Sequence, residues 1–281
     1  AQRRANFFPS IIDIRIRFIK RDDNKTGRGV SISLWREKIF DPPAQKMLSF
    51  LAMENFAKYT RQISLDGFGE DGQRKLAASK VALIGVGGVG SAALPLLAGA
   101  GFGEIALADF DRVSEHNLHR QTIYRADSSG LPKAELAARY ASALNPDVRV
   151  KFFDGKLTDE NADEILGGAL LCIDATDTFE SRGEVSRICA RRGLDLIAAT
   201  AAGFVSQNFL FGDGFYFDAV ADISDSSNLP RGLPIFPPAA HLSGVWAASA
   251  AIRRAVYGEY EAGRFSMFDA KHTKFFTANI R

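Results

Sequence analysis

The feature that most constrains this chain is a glycine-rich turn that follows an apolar run. Residues 81–90 read Val-Ala-Leu-Ile-Gly-Val-Gly-Gly-Val-Gly, and a second apolar run, 104–108, ends at Asp109. In a strand–turn–helix unit, such glycines permit the tight turn, let the main chain approach a phosphate and let the helix pack on the strand. The spacing predicts a nucleotide site at Gly85, Gly87, Gly88 and Gly90, with Asp109 placed for ribose hydroxyls.

Apolar runs and helical patterns alternate through the middle of the chain. The candidate strands are 81–85, 104–109, 148–153, 169–174 and 194–200, and the candidate helices are 89–99, 133–145, 159–166, 178–192 and 240–256. Continuously apolar strands are typical of a parallel sheet that is covered on both faces. We therefore expect an α/β fold with a Rossmann-like, doubly wound, mainly parallel sheet.

The C-terminal part changes character. Residues 204–217 are rich in aromatic and turn residues and suggest antiparallel strands, and 265–269 with 273–277 suggest a hairpin. Residues 222–238 hold five prolines and glycines together with many serines and aspartates, which predicts a long loop. We expect an antiparallel C-terminal extension of the sheet.

The N-terminal part forms a separate pattern. Apolar and polar residues alternate over 11–20 and 30–36 around a turn-rich connection, and helical spacing follows Pro42-Pro43. We expect a small β-hairpin and helix module at 1–57, ahead of a nucleotide-binding domain at 58–281. Residues 1–41 contain ten Lys and Arg against five Asp and Glu, a local charge of +5. A solvated face would explain this charge; an acidic partner is the alternative.

Composition narrows the class of protein. The net charge of +2 argues against nucleic acid as the main partner. No apolar run approaches 18 residues and no signal-peptide pattern is visible, so we expect a cytoplasmic protein without a membrane partner. The two cysteines, Cys172 and Cys189, form no C-x-x-C pair. We therefore expect no zinc site and a reducing compartment.

Charged residues distinguish a triphosphate from a dinucleotide. The glycine pattern alone would most often indicate NAD or FAD. Here it is accompanied by further polar and charged residues: Arg61, Asp111, Asn117, Arg120, Gln121, Lys133 and Asp177. Several cations and acids around one glycine turn suit a triphosphate with magnesium better than a dinucleotide.

In their order and spacing these motifs resemble the ThiF/MoeB/HesA superfamily, the ancestral branch of the ubiquitin-activating enzymes. The match runs from about Lys58 to Gly258 and includes the segments 59–63, 81–90, 109–113, 117–121, 130–133 and 175–177. The resemblance implies an ATP-dependent enzyme that adenylates a carboxylate.

The same resemblance implies individual roles. The glycine turn would hold the phosphates, Asp109 the ribose, and Asn117, Arg120 and Lys133 the phosphate oxygens. Asp177 would organise magnesium, and Arg61 would reach the active site of the partner subunit in a homodimer. Asp111 and Gln121 complete the predicted nucleotide-binding set.

The chain also departs from the superfamily. Many members carry two C-x-x-C pairs that hold zinc, but the matching region, 214–218, has no cysteine. Many members also carry a cysteine for thioester or persulfide transfer in the crossover loop, and residues 218–238 have none. The zinc site and the thioester step are therefore not expected here.

The N-terminal module is similar in pattern to the peptide-clamp module of enzymes that modify ribosomal peptides, as in the pantocin A and microcin C pathways. Such a module can add a leader peptide to a sheet edge. The first hypothesis is therefore adenylation of a precursor-peptide carboxylate, captured by an internal nucleophile, in peptide natural-product biosynthesis. A dimerisation or packing role for the module is the alternative.

Other functions stay open at this point. The chain could adenylate the C-terminal glycine of a ubiquitin-like sulfur carrier, although it lacks the usual cysteines. Dehydration of a modified tRNA base is disfavoured by the near-neutral charge. A non-catalytic peptide-binding protein would not need the retained cations and acids. An NAD dehydrogenase would leave those cations unexplained.

Overall fold

The computed structural model describes residues 56–220 and 233–281. Within them, one sheet contains eight strands: β1 Lys80–Ile84, β2 Glu104–Ala108, β3 Arg149–Phe153, β4 Leu171–Asp174, β5 Leu196–Ala202, β6 Val205–Phe211, β7 Arg264–Asp269 and β8 Lys274–Asn279. The α-helices described are α1 Thr60–Ile63, α2 Gly69–Ala78, α3 Gly88–Ala100, α4 Lys133–Leu144, α5 Ala162–Leu166, α6 Phe179–Arg191 and α7 Pro237–Tyr257.

The strand order is β3-β2-β1-β4-β5-β6-β7-β8. The pairs β3–β2, β2–β1, β1–β4 and β4–β5 are parallel. The pairs β5–β6, β6–β7 and β7–β8 are antiparallel. The prediction of a mainly parallel α/β sheet with an antiparallel C-terminal extension is confirmed. The chain reverses its direction across the sheet at β1, and in open α/β sheets such a point is where ligands bind.

Most predicted elements lie within three residues of the observed ones. The largest differences between predicted and observed elements lie C-terminal to the last parallel strand, β5. Residues 204–217 form a single strand, β6, followed by the turn at Gly212–Phe215 and the 3₁₀ helix Phe217–Ala219, instead of several strands. Helix α7 begins at Pro237, earlier than expected, because proline is favourable in the first turn of a helix. Residues 1–55 of the predicted 1–57 module and residues 222–232 of the predicted 222–238 loop lie outside the described residues.

Helices cover both faces of the parallel sheet. On one face, α3, α4 and α7 pack over Leu83 and Leu107, and on the other, α5 and α6 pack over Ala82 and Cys172. Helices α3 and α7 approach closely, since a Cβ added at Gly244 would lie 2.2 Å from the carbonyl oxygen of Val89. This packing fixes the start of α3 and therefore the glycine turn. Among the described residues, no helix has the length and apolar character needed to cross a bilayer.

Candidate active site

A cavity of about 550 Å³ opens at the carboxyl ends of the parallel strands. This volume is within the usual range for small-molecule sites. Nine of the twelve predicted site residues line it: Gly85, Gly87, Gly88, Asp109, Asp111, Arg120, Gln121, Lys133 and Asp177. Residues from β1, β2, β4 and the segments that follow them thus meet in one place.

The other three predicted residues do not line this cavity. Gly90 lies in the first turn of α3, where a Cβ would come within 2.1 Å of the Gly85 carbonyl oxygen. Asn117 accepts a hydrogen bond from Arg120 Nη2 at 2.9 Å. Arg61 lies exposed on α1. Gly90 and Asn117 therefore support the site indirectly, and Arg61 stays away from the cavity of its own chain.

The glycine turn presents main chain to the cavity. Gly85 has φ +89°, and its N–H donates to the carbonyl of Ala108 at 2.8 Å. At Gly87 the nearest atom to an added Cβ would be Gln121 Nε2 at 3.6 Å. Helix α3 follows with no acidic residue in its first turn. Free N–H groups and the positive end of the helix dipole favour an anion here.

Asp109 connects the end of β2 to this turn. Its carboxylate is mostly buried and accepts from Val86 N at 2.7 Å and from Asp111 N at 2.8 Å. Burial raises the pKa of Asp109, and the two main-chain hydrogen bonds oppose that rise. The residue therefore holds the glycine turn in position as well as lining the cavity.

Lys133 brings a buried cation to the site. Its side chain is 3% exposed, and its Nζ lies 2.9 Å from Asp111 Oδ2. The main-chain N–H of Lys133 also donates to the Asp111 carbonyl at 3.0 Å. A buried ammonium requires a compensating negative charge. Asp111 supplies one, and a phosphate in the cavity would supply another.

The Arg120 guanidinium is positioned by contacts with its sequence neighbours Asn117 and His119. Besides the bond to Asn117, its Nη1 lies 2.9 Å from His119 Nε2. Burial lowers the pKa of the Arg120 guanidinium, and the negative charge of Asp177 opposes that change. Arg120 and Asp177 thus interact electrostatically within the cavity, where a charged substrate would lie between cation and acid.

Sequence reasoning missed the pair that supports Asp177. Asp174 is fully buried, and its Oδ2 lies 3.3 Å from Nε of Arg182, which is 4% exposed. The Asp174 Oδ1 accepts from the amide (2.9 Å) and hydroxyl (2.6 Å) of Thr176, whose carbonyl accepts from Arg182 Nη2. These bonds fix the segment between β4 and α6 that carries Asp177. The sequence feature that could have indicated this pair is Asp174 itself, a carboxylate at the end of the apolar run that forms β4.

The far wall of the cavity was also not predicted. It is formed by β5, β6 and the segment before α7, through Thr200, Ala201, Ala202, Gln207, Leu233 and Ile235. Across the sheet, the order is Asp109 after β2, the glycine turn after β1, Asp177 after β4, and then this wall. A ligand could therefore extend from a nucleoside at one end to an acyl group at the other.

The residues present fit a nucleoside triphosphate. Gln121 lines the cavity, and its Oε1 is a buried acceptor without a hydrogen-bond partner in the described part of the chain. No group of three His, Cys, Asp or Glu side chains among residues 56–220 and 233–281 could hold a metal. Magnesium ordinarily binds one or two carboxylates together with substrate phosphates. Asp177 can supply such a carboxylate.

Neither cysteine lines this cavity. Cys172 on β4 and Cys189 on α6 are both fully buried. The hydrogen bond with Cys189, together with burial, raises the pKa of the Cys172 thiol well above its ordinary value. A thiol in this environment is a weak nucleophile.

The sequence is similar to a protein family and to individual proteins of known activity. The model of the ThiF family matches residues 59–281. The sulfur carrier protein ThiS adenylyltransferase of Escherichia coli K12 is 32% identical over 231 residues, 81% of this chain and 92% of that protein.

Two solved structures share the fold at low sequence identity. E. coli MccB, crystallised with AMPCPP and MccA, has a TM-score of 0.70 at 22% identity, covering 89% of this chain and 83% of that one. PaaA has a TM-score of 0.68 at 21% identity, covering 88% and 80%.

Proposed function

This chain belongs to the ThiF family and is an ATP-dependent adenylyltransferase; from that premise we propose that it adenylates a carboxylate on a ribosomally synthesised precursor peptide. A nucleophile within the same peptide then captures the acyl adenylate, which gives a cyclised or otherwise modified product. The observation that carries this proposal is a cavity in which the glycine turn is joined to a wall of β5 and β6 residues without a cysteine.

The chemistry follows from the charges in the cavity. A carboxylate oxygen attacks the α-phosphorus of ATP, the bond to the bridging oxygen breaks, and pyrophosphate leaves. Two anions must meet, so Arg120 and Lys133 neutralise phosphate charge while the glycine turn donates main-chain N–H groups. Asp177 would hold magnesium, which offsets charge on the phosphates when it is bound.

The capture step needs no enzyme nucleophile. An internal nitrogen of the peptide attacks the acyl carbon, AMP leaves, and the nitrogen loses its proton. This capture has to outpace attack by water, which would hydrolyse the adenylate. The fold shared with MccB, which one solved structure describes as the microcin C7 biosynthetic enzyme, supports this reading.

A second candidate is adenylation of a sulfur-carrier protein. It is favoured by the 32% identity to the ThiS adenylyltransferase. That reading does not account for the burial of both cysteines.

The two candidates differ in ATP–pyrophosphate exchange. We expect exchange to require a short peptide encoded beside the gene and not a purified ThiS-type carrier that ends in Gly-Gly. The Cys172→Ser, Cys189→Ala double variant should keep this activity if it folds. Exchange with the carrier alone, or a trapped enzyme–substrate thioester, would contradict the proposal.

We further propose that the enzyme works as a homodimer in which Arg61 acts on the partner's site. Its exposed position on α1, away from its own cavity, supports this arrangement. Mixing Arg61→Ala chains with Asp177→Ala chains should restore activity, because one site of the hybrid dimer is then complete. Absence of complementation after confirmed subunit exchange would refute a role in trans.

The N-terminal module is proposed to hold the peptide. Its positive charge would suit an acidic peptide segment. We expect Arg15→Glu with Arg17→Glu to weaken binding of the labelled precursor in fluorescence anisotropy while ATP affinity stays unchanged. Equal peptide affinity would favour the dimerisation or packing role instead.

A further inference from the structure

The far wall of the cavity contains a pair of polar side chains that the chemistry above does not use. We propose that Thr200 and Gln207 form a subsite that hydrogen-bonds one of the first two peptide groups from the carboxylate being adenylated. This inference rests on the proposed adenylation and adds a chemical requirement: the substrate must carry an amide close to its reacting carboxylate.

The two residues are placed as a pair by the sheet. Thr200 on β5 is directly opposite Gln207 on β6 in the antiparallel register, and both line the cavity. Directly opposed residues have Cβ atoms about 5 Å apart on the same face. Their polar ends can therefore bind one ligand group together.

Both side chains line the cavity, and the part of the chain that the structure describes leaves their polar ends to a ligand. Each is partly buried, and Gln207 is engaged through its main chain, whose carbonyl accepts from Ser243 Oγ at 3.3 Å. Within residues 56–220 and 233–281, neither the Thr200 hydroxyl nor the Gln207 carboxamide has a hydrogen-bond partner. A ligand that covers these groups must satisfy them or lose affinity.

The surroundings are apolar. Ala201, Ala202, Leu233 and Ile235 form the rest of this wall. The Gly203 N–H donates to the Pro234 carbonyl at 2.7 Å, and the Phe236 N–H donates to the Gly203 carbonyl at 2.8 Å. These bonds hold the apolar segment against the β5–β6 turn, beside the polar pair.

A neutral amide is the ligand group that matches this pair. A carboxamide offers one acceptor oxygen and a donor nitrogen, and a peptide group offers the complementary donor and acceptor. A charged group would find no countercharge among the residues that β5, β6 and the segment before α7 contribute, because the charged lining residues belong to the nucleotide side and to α6. The carboxylate itself belongs near Arg120, on the nucleotide side.

The distance also fits. Strands lie about 4.8 Å apart, so β5 is about 10 Å from β1 across β4. One extended peptide unit covers about 3.5 Å, so an acyl chain joined to the α-phosphate at the glycine turn would need two to three units for that span, less the reach of the two side chains. The first two amides from the carboxylate are therefore the ones that can approach Thr200 and Gln207.

The test uses stable acyl-adenylate analogues and the full-length protein. We would measure by calorimetry the affinity of sulfamoyladenosine carrying either N-acetylglycylglycine or an alkyl chain of the same length. The wild-type protein should bind the peptidyl analogue about tenfold more tightly than the alkyl one, as expected for one or two net hydrogen bonds. Gln207→Leu and Thr200→Val should each remove most of that preference.

Two controls make the outcome specific. Thr277→Val, on β8 and not among the cavity-lining residues, should leave the preference unchanged, and ATP affinity should stay within twofold in every variant. Equal affinity of the wild type for both analogues, or a preference that survives both cavity substitutions, would overturn the subsite alone. If neither acyl analogue binds more tightly than sulfamoyladenosine itself, both the subsite and the proposed adenylation are overturned.

Discussion

At the scale of single residues, the Asp174–Arg182 pair has a structural role, whereas the neighbouring Asp177 has a proposed role in the reaction. Asp174 and Arg182 are buried together, whereas Asp177 is exposed in the cavity. Removing Arg182 leaves an uncompensated buried carboxylate, a change that typically costs about 3–5 kcal/mol. We expect Arg182→Met to lose stability in urea unfolding and to lose ATP–pyrophosphate exchange as well.

Asp177→Asn is the matched variant, because it removes charge from the same segment without creating a buried defect. Its unfolding free energy should stay within about 0.5 kcal/mol of the wild type. Its exchange rate should fall by about a hundredfold or more, as for other lost electrostatic contacts to a reacting group. Near-normal exchange would show that Asp177 has no role in the reaction.

At the scale of secondary-structure elements, two glycines of the β1–α3 unit serve different purposes: Gly90 allows close packing of α3, and Gly87 leaves space in the cavity. A Cβ at Gly90 would lie 2.1 Å from a main-chain oxygen, but a Cβ at Gly87 would meet nothing closer than 3.6 Å. Gly90→Ala must therefore displace α3, with a stability loss of about 3 kcal/mol. Gly87→Ala should fold normally and lose ATP affinity, because the methyl group occupies space that a phosphate needs. Calorimetry with ATP and thermal unfolding of both variants would check this difference.

The beginning of β2 gives a pH-dependent prediction. Glu104 is buried beside Arg149 Nε at 2.6 Å, and Lys80 and Lys151 each lie 3.5 Å away. Burial alone would raise its pKa, but the Arg149 hydrogen bond and the lysine charges outweigh burial and hold the pKa below 4.5. A lowered folded-state pKa stabilises the protein above the unfolded-state value, and this contribution disappears as pH falls through the folded-state value.

Glu104→Gln should therefore lower the unfolding free energy at pH 7 by about 1 kcal/mol, since its cationic partners are partly solvated. The difference from the wild type should shrink below pH 4.5, measured by urea unfolding at several pH values. Glu164→Gln, at an exposed position on α5, is the control and should have little effect at any pH. A difference that does not change with pH would exclude the electrostatic explanation.

At the scale of the whole molecule, nucleotide binding should stabilise the entire fold. The site draws its residues from β1, β2, β4 and helices α3 and α4, so a ligand couples the centre of the sheet to its helices. ATP with magnesium at a hundred times its Kd adds about 2.7 kcal/mol. For a chain of this size, that should raise Tm by about 5 °C. NAD should cause no comparable shift in the same thermal scan, and a larger shift with NAD would contradict the assignment.

The same scale shows what the sequence could predict. Strands β1, β2, β4 and β5 were predictable because each is a nearly unbroken apolar run, and most phosphate-site residues because they follow those runs directly. Strand β3 lies at the sheet edge and carries Arg149 and Lys151 among its apolar residues. The wall at Thr200 and Gln207 was not, because its residues come from two strands and a distant segment that only the antiparallel register brings together. The Asp174–Arg182 pair was likewise hidden, since its two members belong to separate elements.

The arrangement of the cavity across the sheet has an evolutionary consequence. In the proposed reaction, activation would depend on residues after β1, β2 and β4, whereas the acyl group would meet β5, β6 and the start of α7. Substitutions in the second set can alter which carboxylate is accepted while the first set is preserved. A lineage can thus diversify its substrates by changing a few positions near the β5–β6 turn, without having to reinvent the reaction.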